Sequence, residues 1–423
     1  MNNLRSNSYD PQASFRCGDC YDDGQSEETA MTTQKVAVIG AGVIGLAVAW
    51  ALARQGAQVT LFDRQHMGAG TSSTTFAWVN SNGKQPASYH RLNALAMEEH
   101  IRLQLTQTNG LRWLEPCGTW EWAGADEAEQ QLQQRATALQ AAGYAARQRT
   151  LAELQQEIPE LRASAVHGSI WHFPTESVLY PALYLARLWS EAQAHGAVLH
   201  QHQAIQHISE NAEGVTVQLE QGEQWQGDRL VLATGRWANQ LLHTLGLELA
   251  LIDTSKPDAV ACSFLARTAP QPLSLGTNLI SPQLNVRPDG GGRLLLQALD
   301  LDHLADPGAP PSTHSAIADQ FRERYRALFA TAGALQIEQI VVGQRARPAD
   351  GLPALGFVTP HQRVYVAVTH SGITLSPLIG RLVAQELIGD SPSDLLKEFR
   401  PQRLIGKTAS AFAPIQRNFP AAQ

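Results

Sequence analysis

Residues 36–56 read VAVIGAGVIGLAVAWALARQG. The first four have the composition of a buried strand. Residues 43–55 have that of a helix, with Gly56 where a C-terminal glycine cap belongs. Between them stands Gly40-Ala41-Gly42-Val43-Ile44-Gly45. In a strand–turn–helix unit the first glycine makes the turn and the second lets backbone approach a pyrophosphate. The third permits tight helix–strand packing, and the helix N-terminus supplies an anion site. A second strand, residues 59–62, ends at Asp63, an acid spaced to hydrogen-bond a ribose hydroxyl. This context predicts a dinucleotide site; the alternative is a glycine-rich packing turn.

Residues 36–53 contain no charge, and a hydropathy window alone would mark a membrane helix. The glycines split the stretch, so a buried strand and helix are expected and no transmembrane segment. The chain has 423 residues, 43% hydrophobic and 17% charged, which predicts a globular protein of two intertwined domains. A net charge of −7 argues against nucleic acid as a partner. Four cysteines are too few for a disulfide framework, which points to a reducing, cytoplasmic setting.

Residues 1–33 read as a disordered extension, polar and without the apolar run of a signal peptide. Cys17 and Cys20 form a single CxxC there, and chance cysteines in a loose tail explain it as a metal pair would. Met31 is a possible natural start. The 14 histidines show no metal-ligand spacing, so no metal is expected.

Further along, helices are expected over residues 86–106, within 125–157, over 180–195 with Pro181 at the start, and over 314–333. Strands are expected at 197–200, 215–219, 229–233, 339–342 and 364–369, with short strands of an antiparallel sheet between 250 and 300. A final helix is expected from about Pro377 to Leu387.

Three blocks carry a family likeness. One is the fingerprint with the small-residue loop 68–75. Another is Val231-Leu-Ala-Thr-Gly-Arg-Trp237. The last is Gly343-Gln-Arg-Ala-Arg-Pro-Ala-Asp-Gly-Leu-Pro353, followed by His370-Ser-Gly-Ile-Thr-Leu-Ser376. With them, residues 35–404 resemble the D-amino-acid oxidase-like superfamily of FAD-dependent amine and amino-acid oxidoreductases. That is the group of glycine oxidase, sarcosine oxidase and bacterial D-amino-acid dehydrogenases. The resemblance implies an α/β fold, with a Rossmann-like FAD-binding domain and an interleaved α+β substrate domain on a mostly antiparallel sheet. It divides the chain into residues 34–110, 161–245 and 338–423 for FAD, and 111–160 and 246–337 for substrate.

It also implies site roles. Gly40, Ala41, Gly42, Val43, Ile44, Gly45, Asp63 and Arg64 would hold the ADP part of FAD. Thr71, Ser72 and Ser73 would lie along the pyrophosphate or flavin edge, or form a solvated turn. Ile205, Thr234 and Gly235 would line the nucleotide. Gly372, Ile373 and Thr374 would close over the flavin ring at the head of the last helix, or only cap it. Arg345 would anchor a substrate carboxylate, with a structural ion pair to Asp350 as the alternative and Arg347 as its rival. His370 would contact substrate or flavin, or serve as a structural histidine.

Two departures bear on the substrate pocket: Ala346 stands where a proline is usual after the arginine, and residues 252–257 lack the usual Pro-x-x-Gly turn. No cysteine or histidine stands where relatives attach flavin, so FAD is expected to be noncovalent. Cys117 and Cys262 read as buried thiols. Trp78, Asn80 and Asn82 would wall the pocket or serve the core, and Lys256 would promote oxygen reactivity or lie on the surface. The implied reaction is hydride transfer from a small amine or amino acid to flavin, giving an imine that hydrolyses. Oxygen or a redox partner would reoxidise the flavin. Two other functions stand beside it: a flavin-binding subunit of a larger dehydrogenase complex, and an NAD(P)H-dependent flavoenzyme.

Overall fold

The computed structural model describes residues 33–106, 110–257, 259–273, 275–330, 334–389 and 391–414. Expectations for residues 1–32, including Cys17, Cys20 and Met31, lie outside the described residues. The strand Lys35–Ile39 lies between Gln58–Phe62 and Arg229–Leu232, parallel to both. Val198–His200 and Val364–Val368 extend the sheet in parallel on either side, and Ala354–Phe357 closes one edge antiparallel.

The central strands are mostly apolar because both faces are covered, whereas the edge strand Val198–His200 is largely exposed. Val36, Val38, Val231 and Tyr365 enter one core, with the helices Val43–Arg54, Ala87–Leu105, Pro181–Ala194 and Gly372–Ile388. Ala37, Ile39, Leu230, Leu232 and Val366 enter another, beneath the three-stranded sheet Ile205–Glu210, Val215–Leu219 and Gln224–Gly227. The alternation is the period of two that strand geometry imposes. Val43–Arg54 is buried almost all round, which explains its uncharged sequence without a membrane. Among the described residues no helix is long and apolar enough to span one.

The second large sheet has eight strands, in the order Ile337–Gln344, Cys262–Thr268, Leu294–Gln297, Asn285–Pro288, Asn278–Ile280, Thr119–Trp122, Ile170–Phe173 and Arg147–Arg149. Only Asn278–Ile280 against Thr119–Trp122 is parallel among its pairings. The helix Ala316–Leu328 buries Ala318, Phe321, Tyr325 and Leu328, one stripe at helical spacing, in the core of this sheet. Its N-cap Ser315 accepts a hydrogen bond from the Ala318 amide.

The last helix departs from expectation. It begins at Gly372, and Pro377 lies inside it. Proline cannot donate to the carbonyl four residues back. That carbonyl, on Ile373, is instead met by His100 Nε2 at 2.8 Å and by the Ser376 hydroxyl at 3.2 Å. A residue 273 positions away in sequence thus repairs the helix.

Candidate active site

The turn after the first strand places Gly40 at φ +105°. A Cβ at Gly45 would stand 1.8 Å from the Gly40 carbonyl oxygen, so no side chain is possible there. At the helix start, the Val43 amide donates to Ser72 Oγ at 2.9 Å, which brings the loop after the second strand over the glycine turn. Asp63 ends the second strand. One carboxylate oxygen accepts from the Ala41 amide and the other from the Gln65 amide, each at 2.8 Å.

Above these residues lies a cavity of about 370 Å³. Gly40, Gly42, Val43, Ile44, Asp63, Arg64, Thr71, Ser72, Ile205, Thr234, Gly235, His370, Gly372 and Ile373 line it. Ala41, Gly45 and Ser73 do not; the Ser73 hydroxyl donates instead to the Gly68 carbonyl. Arg64 and Arg236 both stack on Trp237 at the cavity wall, 4.1 and 3.7 Å from its ring centre. Arg236 carries no sequence signal of its own beyond its place in a likeness block.

A smaller cavity of about 100 Å³ adjoins it through Thr71, Thr75, His370 and Ile373. Trp78, Asn80, Lys84, Ser263, Gln297, Arg345 and Thr374 are among its walls. It lies where the loop after the second strand meets the end of Ile337–Gln344. A Cβ at Gly343 would come within 2.7 Å of the Thr74 carbonyl oxygen, and the Thr71 hydroxyl donates to the Gln344 carbonyl at 2.6 Å.

Arg345 Nη1 donates to Ser263 Oγ at 2.8 Å, and that hydroxyl donates to Asp302 at 2.6 Å. The Phe264 amide also donates to Asp302, at 2.9 Å. Asp302 is the acid behind Arg345; Asp350, the expected alternative, pairs with Arg403 at 2.6 Å. Arg347 is buried, and burial beside Arg345 lowers its pKa to about 10. It does not line the smaller cavity.

His370 Nε2 lies 2.9 Å from the Gly351 carbonyl and 3.3 Å from the Tyr89 hydroxyl. Burial, then Arg347 and Lys84, hold its pKa well below the usual histidine value, so the ring is neutral. With Nε2 donating to Gly351, Nδ1 carries the lone pair, and it has no partner among the described residues. Tyr89 also donates to Ser371 at 2.7 Å, while neutral His100 grips Ile373. Both tether the head of the last helix, whose N-cap Ser371 makes no side-chain cap. Its first amides therefore stay available to an anionic or carbonyl group.

The other pocket candidates divide. Trp78 and Asn80 reach the smaller cavity, whereas Asn82 joins Glu121 and Arg135. Lys256 is exposed and 3.5 Å from Asp253. The buried lysine is Lys84, which sequence reasoning misses: it stands in the polar loop Asn80–Gln85, with no local pattern to distinguish it. Cys262 is buried and Cys117 half-buried, its thiol pushed up to about 12 by burial. No metal-holding cluster occurs among the described residues.

The residues suit FAD: a cavity of about 370 Å³, a glycine turn under it, an acid after the second strand, and Thr234 Oγ1, buried in the lining without a partner among the described residues. The sequence model of the FAD-dependent oxidoreductase family matches residues 35–386. Glycine oxidase of Geobacillus kaustophilus is 28% identical over 381 residues, 88% of this chain and 97% of that protein. An opine oxidase subunit of Rhizobium meliloti is 24% identical over 389 residues, 88% of this chain and 98% of the relative. The crystal structure of the Geobacillus kaustophilus glycine oxidase superposes with a TM-score of 0.76 at 24% identity, covering 88% of this chain and all of that one.

Proposed function

The chain belongs to the family of FAD-dependent oxidoreductases, and from that premise we propose that it oxidises the C–N bond of a small amine or amino acid. Bound FAD supplies the two-electron acceptor, taking hydride from the carbon that bears nitrogen. Gly40, Gly42, Asp63, Thr71, Ser72 and Thr234 would hold it in the large cavity, and Gly372, Ile373 and Thr374 would face its ring from the head of the last helix. The observation that carries the reading is Arg345, a half-buried guanidinium in the wall of the smaller cavity, which adjoins the larger one.

The guanidinium would take the substrate carboxylate with parallel hydrogen bonds. Ser263 and Asp302 fix the fork from behind, so orientation is set before substrate arrives. His370, in the wall that the two cavities share, would contact substrate or flavin. The reacting amine is neutral: its Cα–H bond breaks with the electron pair leaving as hydride, a proton departs from nitrogen, and a C=N bond forms. Water then hydrolyses the imine to a carbonyl compound. Thr75, Trp78 and Thr374 wall the space and limit water at the reacting carbon.

The test is anaerobic mixing of the purified yellow protein with amines and amino acids. Bleaching of the flavin by at least one of them is expected, and no bleaching across a broad panel would refute amine oxidation. Acid precipitation is expected to release FAD into the supernatant, since no covalent attachment is proposed. The second reading, a flavin-binding component of a larger dehydrogenase, is favoured by the likeness to the opine oxidase subunit. It predicts bleaching only after a partner chain is added.

A further inference from the structure

The wall of the larger cavity carries two arginines on one indole. Arg64 and Arg236 lie 4.1 and 3.7 Å from the ring centre of Trp237, which sets the two guanidiniums no farther apart than the sum of those distances. Trp237 itself packs against the loop after the second strand: a Cβ at Gly70 would come within 3.2 Å of its ring. Arg236 is half-buried and Arg64 exposed. Arg236 Nη1 donates to the Thr71 hydroxyl at 2.9 Å and to the Gln344 carbonyl at 3.4 Å, and Arg64 Nη1 donates to Gln240 at 3.2 Å. All these acceptors are neutral, and among the described residues neither arginine forms an ion pair. Asp63, the acid beside Arg64, has its two carboxylate oxygens engaged by the Ala41 and Gln65 amides. Burial, then Arg64, lowers the Arg236 pKa to about 10, so the guanidinium keeps its charge at neutral pH.

Neighbouring cations in a cavity wall repel each other, and an anion that meets them offsets that cost and the cost of desolvation. Their position narrows the choice of anion. The Thr71 hydroxyl that receives Arg236 belongs to the loop whose next residue, Ser72, accepts from the Val43 amide at the start of the first helix. Helix start and guanidinium thus border the same stretch of the cavity, and Gly42, Val43, Thr71 and Arg236 all line it. FAD carries its two phosphate groups in its middle, between the adenosine and the ribityl chain. A guanidinium fork matches phosphate oxygens with paired N–H groups, and Arg236 Nε and Nη2 have no hydrogen-bond partner among the described residues. We propose that Arg236, held on Trp237, binds the FAD diphosphate, with Arg64 as a second and more exposed cation. The diphosphate then meets a side-chain charge as well as the backbone of the glycine turn. This rests on the placement of FAD in the larger cavity and does not depend on which amine is oxidised.

Apoprotein is titrated with FAD, ADP and adenosine, FAD by flavin fluorescence and the other two by calorimetry. Adenosine has the adenine and ribose of FAD but no phosphate, and ADP has the diphosphate but no flavin. In Arg236→Gln, FAD and ADP are each expected to bind at least about tenfold weaker than in the wild type, the order of one charge-assisted contact, with adenosine unchanged. Arg236→Lys should fall between the two, since it keeps the charge without the fork. Arg64→Gln should lose less, because solvent screens an exposed charge. Unchanged FAD and ADP affinity in a folded Arg236→Gln protein overturns the proposal. A loss that adenosine shares equally also overturns it, since that is the mark of a structural role, as does a loss for FAD alone, which puts the arginine on the flavin. A further test needs no variant: FAD is expected to protect Arg236 from modification by butanedione, mapped by peptide mass. Equal modification of apoprotein and FAD-loaded protein overturns the proposal. Wild-type protein that binds no FAD overturns it together with the cofactor placement, whereas the variant outcomes leave that placement and amine oxidation standing.

Discussion

The two cavities of this molecule are built in different ways. The larger one rests on the parallel sheet, and its floor comes from short local runs: Gly40, Gly42 to Ile44, Asp63 to Gln65 and Gly70 to Ser72. Local geometry dictates that floor, since a turn, a helix start and a strand end place backbone groups whatever surrounds them. The smaller cavity draws on the 71–84 segment, Ser263, Gln297, Arg345 and the 370–374 turn. Its charged side chains are set by partners from other elements, Ser263 and Asp302 for Arg345 and the Tyr89 ring, 5.9 Å from Nζ, for Lys84. Backbone makes the first site and converging side chains make the second. Mutations should therefore fail differently in each.

The largest effect is expected at the glycine turn. Gly45→Val would drive a side chain into the Gly40 carbonyl and should yield protein without FAD, read as the loss of flavin absorbance per chain. A variant that keeps one FAD per chain would break the claim that backbone geometry decides this region.

Arg345→Ala should leave FAD content normal while lowering kcat/KM on an amino acid by about 100-fold or more, the scale of losing a buried charge-assisted pair. Arg345→Lys keeps the charge but loses the fork, and should fall between alanine and wild type. KM should rise most if the contact is uniform binding, with kcat falling as well if it aligns the reacting C–H. Unchanged kinetics in Arg345→Ala would move the anchor to Arg347 or point to an amine without a carboxylate.

Asp63→Ala should weaken FAD by about 1–3 kcal/mol, the usual loss for a hydrogen bond to a charged group. The Ala41 and Gln65 amides also lose their acceptor, so the deficit should appear in FAD affinity more than in turnover of loaded enzyme. Equilibrium titration of the apoprotein with FAD measures it.

A further effect concerns pH. Lys84 has a folded pKa of about 7 against 10.5 for an ordinary lysine, and Arg345, Arg347 and Glu176 are the charged groups acting on it. Below about pH 7 both folded and unfolded chains carry the proton, and the folded state bears the full cost of the buried charge. Between the two values the unfolded chain holds a proton that the folded one lacks, so this group's contribution to stability rises with pH across that window. Lys84→Met should flatten the rise, gaining most over wild type at low pH. Parallel melting curves from about pH 6 to 10 test this, and identical pH profiles would separate Lys84 from the buried cluster.

The floor of the larger cavity is legible in the sequence because its information is local. A strand, three glycines, a helix and an acid lie within Lys35–Asp63, and each residue type answers a backbone requirement that no neighbour can waive. The long-range pairings around the smaller cavity are not legible. Lys84 and Lys256 both stand in polar loops, yet one is buried in the wall of a cavity and the other is exposed. Asp350 lies five residues from Arg345, but the acid behind Arg345 is Asp302, brought there by its short helical turn, and Asp350 goes to Arg403. Sequence reasoning starts the last helix too late because Pro377 reads as a start signal, while His100, far away in sequence, answers the carbonyl that the proline leaves. Sequence by itself determined the dinucleotide turn, since sterics and hydrogen bonding within a few residues suffice for it. Only the tertiary structure decided which charges share a cavity, because burial and the partners of a side chain belong to the packed elements rather than to its neighbours in the chain.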